Sequence, residues 1–317
     1  MLLAGHRDDW QGWCMRHAYS SSGEMELRRH AMAWLDRRPG RLVNYSFLAS
    51  YVYDGVRVSL IDRQRGIRKP RLLSAALAIR TTYTPPGRKP PYVDEVGADG
   101  LQRYMYRGTD PEHPENTALR RAKELSLPLI WFVGVASGEY EPIYPVYVIG
   151  EEREQHRFVL ALDEAQRFID PATGIDQPMR RYLERLTKER LHQRLFRARV
   201  LLAYRERCTI CELGHSELLD AAHIVRDADE GGDPVVSNGL AMCKIHHAAY
   251  DQRFLGIRPD LTVHVRTDLL EELDGPMLRH GLQAVHNTKL AVLPRARTAR
   301  PDPARLELRY AEFLAAM

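Results

Sequence analysis

The chain has 317 residues, of which 44% are apolar and 28% charged, and a formal net charge of +4. That balance excludes a disordered polymer, and no apolar run approaches the roughly 18 residues that cross a bilayer. The N-terminal MLLAGHRDDWQGWC lacks the apolar core of a signal peptide, so the expectation is a cytoplasmic protein of two or three domains with no membrane partner.

In chain order, residues 1 to about 24 read as an extension. EMELRRHAMAWLDRR reads as a helix closed by Pro39 and Gly40. RLVNYSFLASYVYDGVRVSLIDRQRGIRKPRLL mixes a short helix with strands, which completes a small module over 1–75. From 76 to 165 the texture turns β-rich: LLSAALAIRTTY, LQRYMYRG, PLIWFVGV and YEPIYPVYVIG are short apolar or alternating runs between Pro, Gly and Asp turns. One helix, NTALRRAKELS, interrupts them, with Asn116 as its expected N-cap. Residues 166–207 read as a connection followed by a basic helix. RRYLERLTKERLHQRLFRARVLLAYRER spaces leucines for one buried face and loads the other with arginines. Arg194 and Arg197 on that helix are candidate phosphate contacts.

The remaining segment, 208–317, carries the strongest spacing signal. Cys208-x2-Cys211 is followed, after a long loop, by Cys243-x2-His246. Two short pairs, each able to bite one ion, are what a tetrahedral Cys3His zinc site requires, and four protein ligands make it structural rather than catalytic. A reducing compartment favours metal over disulfide for such a cluster, while Cys14 stands apart as an ordinary thiol. Within the loop lie Asp220 and His223 in ELLDAAHIV, then Asn238 in PVVSNGLAMC, then His247 and Asp251 in CKIHHAAYD. These stretches read as strand, strand and helix.

His223, Asn238 and His247, in that order on a zinc-tied ββα framework, resemble the HNH (ββα-metal) endonucleases over about 205–257. The resemblance implies phosphodiester hydrolysis with His223 as general base. It implies that Asn238 holds the turn and orients the base, and that His247 ligates a catalytic divalent ion (Mg²⁺, Mn²⁺ or another) beside the structural Zn²⁺. Many members place an acid immediately before the base histidine; this chain has Ala222. Asp251, one helical turn after His247, therefore ranks above Asp220 as the second ligand.

The β-rich half resembles the SRA reader domains of the PUA superfamily in the order of YVDEV, the Tyr-x-Gly of MYRG, the Asn-x-Ala-Leu helix and the Tyr-rich last strand. SRA domains flip a modified cytosine into an aromatic cage. By position, Tyr92 and Tyr106 would stack on the base, and Asp94 or Glu95 would read its edge. The YRGTDPEHPEN loop departs from the family's Gly-rich loop. The expected fold is thus α+β: an N-terminal SRA/PUA-like barrel with a small helical segment, and a C-terminal zinc-stabilised HNH domain. The expected function is a restriction-type endonuclease acting on double-stranded DNA with or without modified bases, and double-strand cutting from one site per chain points to a homodimer. The alternative is a zinc-stabilised DNA-binding or modified-base reader that does not cut.

Overall fold

The computed structural model describes residues 21–38, 42–85, 96–171 and 174–317. Tyr92, Asp94, Glu95 and Cys14 lie outside the described residues. The chain divides into two compact units, Met1–Leu191 and His192–Met317. No helix among the described residues is long and apolar enough to cross a membrane.

The first unit mixes helices with a curled sheet. It runs α1 (Ser21–Asp36), β1 (Val43–Asn44), α2 (Tyr45–Ala49), β2 (Val52–Tyr53), β3 (Val56–Arg57), β4 (Ile67–Arg68), β5 (Ala78–Thr81), β6 (Gln102–Met105), α3 (Pro114–Glu124), β7 (Leu129–Ala136), β8 (Glu139–Glu152), β9 (Arg157–Ala161) and α4 (Gln177–Thr187). The main sheet has the order β4-β5-β7-β8-β9-β6, with β1 also on β8. β1 and β4 therefore belong to the same sheet as the strands of 78–161, while β2 and β3 pair only with each other. Only β5 and β7 run parallel, and the crossover between them contains β6 and α3. The apolar run LIWFVGVA of β7 is buried along nearly its whole length, as a strand covered on both faces must be. Leu27, Ala31 and Leu35, a single stripe on α1, pack with Ile130 and Phe132 of β7.

β8 makes the curl. Its first half pairs with β7 and its second half with β9, with a bulge between Val148 and Gly150. A bulge there increases the twist and turns the strand from one partner to the next. Gly150 suits the bend, since a Cβ would press on the Val159 and Pro171 side chains at 3.0 and 3.1 Å. The curl brings the sheet's two ends together: the Tyr104 hydroxyl of β6 lies 3.2 Å from the carbonyl oxygens of Gly66 and Arg80, beside β4 and on β5. Asn116, expected as the cap of α3, is instead a buried brace. Pro114 starts the helix at its first position, His113 caps it through Nδ1, and the Asn116 amide bonds the backbone of Arg107 and Asp110. A proline suits the first turn because its missing N–H is unpaired there anyway.

The basic stretch expected as a helix is helical, but it is interrupted by a π turn at Lys188–His192 between α4 and α5 (Gln193–Ala203). The second unit continues from α5 with β10 (Leu219–His223), β11 (Gly239–Cys243), α6 (Lys244–Asp251), β12 (Leu255–Ile257), β13 (Val263–Val265), α7 (Thr267–Glu271), α8 (Pro276–Gly281) and α9 (Pro303–Leu314). Phe196, Val200, Leu201 and Tyr204 of the α5 segment share one core with both hairpins and with Leu306 of α9. α9 begins cleanly: Asp302 accepts from the amides of Ala304 and Arg305, with Pro303 at the first turn.

Candidate active site

β10 and β11 form an antiparallel ladder in which Leu219 faces Cys243 and His223 faces Gly239, and α6 follows β11 directly. The expected strand–strand–helix order is present. Position in this unit separates the adjacent histidines. His246, in the first turn of α6, is 2% exposed, whereas a quarter of the His247 side chain reaches solvent.

The ligand atoms of Cys208, Cys211, Cys243 and His246 all lie within 4.8 Å of one another. His246 Nδ1 is 3.2 Å from Cys243 Sγ and 3.5 Å from Cys208 Sγ, and the sulfurs of Cys211 and Cys243 are 3.9 Å apart. A tetrahedral zinc with about 2.3 Å bonds to sulfur requires sulfurs about 3.8 Å apart, and somewhat less between nitrogen and sulfur. The cluster fits that ion. The second nitrogen of His246, Nε2, is 2.8 Å from the Gly281 carbonyl, the outer hydrogen bond that fixes ring and tautomer in metal-binding histidines. The hydrogen bond from Cys208 holds the Cys243 thiol far below its ordinary range, and the same neighbours push Cys211 up. Burial opposes charge on His246, yet its hydrogen bonds to Cys208 and Cys243 hold its pKa up at about 10. Three sulfurs and a buried imidazole that contend for protons in this way are a donor set suited to a dication.

Of the other predicted residues, His223 and Asn238 stand at the His223–Gly239 end of the hairpin, and His247 and Asp251 lie on α6, which leaves its other end. His223 closes β10, half-buried, with Nε2 shielded from solvent. Asn238 is fully buried and works as a two-way clamp. Its Oδ1 accepts from the Val225 amide, its Nδ2 donates to the carbonyls of Val225 and Asp233, and its own carbonyl accepts from Ile224. The asparagine thus fixes the backbone on both sides of the turn that follows His223. His247 Nε2 stands 3.2 Å from Asp251 Oδ2, one helical turn on. Asp251 holds the His247 imidazole above its ordinary pKa, with Asp220 contributing from a distance, and His247 holds Asp251 below its own.

Asp220 and Arg197 are committed to each other. The Arg197 guanidinium meets Asp220 Oδ1 at 3.1 Å and donates to the carbonyls of Ser216 and Leu219 at 3.0 and 2.6 Å. Arg197, expected at DNA, is thereby a pin between α5 and β10. Among the described residues, only the Cys3His set gathers its ligand atoms within 4.8 Å; Asp220, His247 and Asp251 are more widely spread.

Residues 208–258 match the HNH endonuclease family model. That segment is an HNH endonuclease domain, of nuclease type, and it covers both the Cys3His cluster and the His223–Asn238–His247 set. No curated protein matches the chain. Among solved structures, the chain is similar to a modification-dependent TagI restriction endonuclease, at 18% identity and a TM-score of 0.29 over 78% of this chain and 85% of that one. A TM-score this low fixes neither the fold nor the function of this chain.

The first unit has a cavity of about 200 Å³ at the seam where the sheet's ends meet, with Arg80, Thr82, Tyr104, Tyr106, Arg107 and Glu115 among its walls. Tyr106 is 2% exposed and tilted against Phe158, and its hydroxyl is bound to Glu151. Arg80 has a buried Nε with no hydrogen-bond partner among the described residues, and Glu115 Oε2 accepts from the Ile67 amide at 3.4 Å. Sequence reasoning missed Arg80 and Glu115. Nothing local marks them, because the curl alone brings residues 64–82 against 104–115.

Proposed function

We propose that this protein is a metal-dependent DNA endonuclease in which His223 is the general base. The observation that carries the reading is the strand–strand–helix unit, which sets His223 at the end of β10, the Asn238 clamp next to β11 and the His247–Asp251 pair on α6, with a separate four-ligand cluster that leaves no position for substrate. A neutral imidazole takes the proton of a water as its oxygen bonds to phosphorus. The bond from phosphorus to the 3′ oxygen breaks, and that oxygen is protonated from solvent. His247 and Asp251 would hold a divalent ion, which would supply charge stabilisation at the phosphate. Cys208, Cys211, Cys243 and His246 would hold structural zinc.

We further infer that the seam cavity of the first unit reads DNA, through an everted and modified base in an SRA-like manner. A pocket that joins aromatic walls to a few convergent polar groups suits a single base, with Tyr104 and Tyr106 as π-faces and Glu115 and Arg80 as edge readers. Cutting both strands from one site per chain would call for a second copy.

The test is cleavage of matched plasmids that carry no modification, 5-methylcytosine, 5-hydroxymethylcytosine or N6-methyladenine, across Mg²⁺, Mn²⁺, Co²⁺ and Ni²⁺. Expected is metal-dependent cleavage restricted to one modification class and lowered about 10²–10⁴-fold by His223→Ala. A gel shift without nicking under every metal would replace the endonuclease with the non-cleaving reader.

A further inference from the structure

A histidine at the end of a strand has its backbone fixed but not the plane of its ring, because rotation about its second side-chain torsion is broad and nearly two-fold. A general base that must meet one water in line with one leaving oxygen needs that plane set, and misplacement by an ångström can lower turnover a hundredfold. In this molecule the ring plane has a partner. The Phe196 ring lies over the His223 imidazole with centroids 3.9 Å apart and planes 20° from parallel.

The packing around this pair is specific. Phe196, Val200 and Tyr204 form an i, i+4, i+8 stripe on α5 and at its C-terminal cap. The stripe faces the rung of the ladder where His223 pairs with Gly239. A Cβ on Gly239 would come within 2.4 Å of Val200 Cγ2 and 2.9 Å of Phe196 Cζ, so only glycine admits the helix this close. The Tyr204 hydroxyl donates to the Gly239 carbonyl at 3.1 Å, and Arg197 pins the same helix to Asp220 and to the carbonyls of Ser216 and Leu219. Simple filling of space would be met by any side chain of similar volume. A near-parallel aromatic contact held on both sides by such anchors does more, since it favours one orientation of the imidazole.

We propose that Phe196 is a positioning residue for hydrolysis: its ring sets the plane of the His223 imidazole, and α5 acts as the jig that holds it there. This rests on the reading of His223 as the general base. Phe196 touches neither substrate nor metal in this role.

The experiment compares Phe196→Leu and Phe196→Met with the wild-type chain on a plasmid that the wild type cuts, with zinc content and melting temperature recorded for each. Expected is a fall in kcat of about 10–100-fold with KM within about threefold, zinc retained, and DNA affinity unchanged by gel shift. Turnover within about twofold of wild type in a folded aliphatic variant would mean that the ring only fills space, and would overturn the proposal. Should both variants lose zinc or fold, proton NMR of the wild-type protein decides. The His223 ring protons should show the upfield displacement of a nucleus beneath an aromatic face, and ordinary imidazole positions would overturn the stack. Cleavage by His223→Ala at the wild-type rate would remove the base assignment, and this proposal with it, while leaving the protein an endonuclease.

Discussion

His246 and His247 are chain neighbours whose surroundings give them separate chemistry. One is buried among thiols with its far nitrogen on the Gly281 carbonyl; the other is partly open and faces Asp251. His246→Ala should release zinc and lower the melting temperature, whereas His247→Ala should keep zinc, measured by elemental analysis, and lose cleavage. Loss of zinc in His247→Ala would show that the two assignments are reversed. The His247–Asp251 pair also fixes a pH dependence in the absence of divalent ions. Asp251 raises the pKa of His247, so its contribution is complete below the unfolded histidine value of about 6.5 and declines as pH rises through the folded value. His247 lowers that of Asp251, so its contribution is complete above about 3.9 and is lost as pH falls through the folded value. The coupling in a double-mutant cycle of His247→Ala and Asp251→Ala, read by thermal melts, should therefore be greatest near pH 5, where both windows overlap, and smaller at pH 9. A coupling that grows toward pH 9 would contradict the pairing. At this scale the Cys3His cluster was legible, because a tetrahedral ion needs short ligand pairs and the sequence spaces their members by two intervening residues. The sequence offered Arg197 as a phosphate contact but not its three acceptors, which lie around twenty residues away and meet it only after the strand docks.

At the scale of elements, the ββα order was legible because strand and helix periods alternate across a short span. The long bent strand β8 was not. Its change of partner depends on a bulge at Val148–Gly150, which is a matter of register rather than composition. The same holds for the helix cap assigned to Asn116, since a proline two residues earlier moves the start of α3 and turns the asparagine inward. Two close approaches give testable energetics. α9 lies against β12 so tightly that a Cβ on Gly256 would stand 2.6 Å from the Phe313 ring. Gly256→Ala should destabilise the second unit by about 1–3 kcal/mol, as overpacking of a filled core does, and Phe313→Leu should recover part of that loss in urea melts. Additive losses in the double variant would argue against a shared contact. In the first unit, Arg103 joins Asp99 and Glu152 with N–O distances of 2.7 Å. Burial would raise the two carboxyls, but the guanidinium outweighs it and holds both below the ordinary range. That part of the stability is present above about pH 4 and is lost as pH falls through the depressed values. Arg103→Met should flatten this acid limb, read as melting temperature against pH, and an unchanged limb would remove the clamp.

At the scale of the whole molecule, zinc in the Cys3His cluster would couple metal to fold in the second unit. Large apolar residues are sparse between Cys211 and Leu240, so an ion held there would contribute folding free energy, as it does in small zinc modules. Strong chelation should abolish cleavage even in excess Mg²⁺ and lower the melting temperature; full activity of zinc-free protein would refute a structural role. The family's signature covers only 208–258, and there the Cys3His cluster was readable from spacing and the nuclease type from resemblance to the family. The first unit offered no comparable code, since a curled sheet is specified by distributed apolar alternation and by contacts between distant ends.

The hydrogen bond from His246 Nε2 to the carbonyl of Gly281 reaches well past that signature. Thr209, next to Cys208, donates its hydroxyl to the Val292 carbonyl, and Arg309 donates to the carbonyl of Tyr250. The Cys3His cluster is therefore tied into the C-terminal sixty residues and is not the centre of a portable cassette. A fragment cut to the borders of the recognisable motif would keep all four ligands and lose the groups that aim and bury them. The unit of inheritance visible in the sequence and the unit of folding visible in the coordinates have different edges.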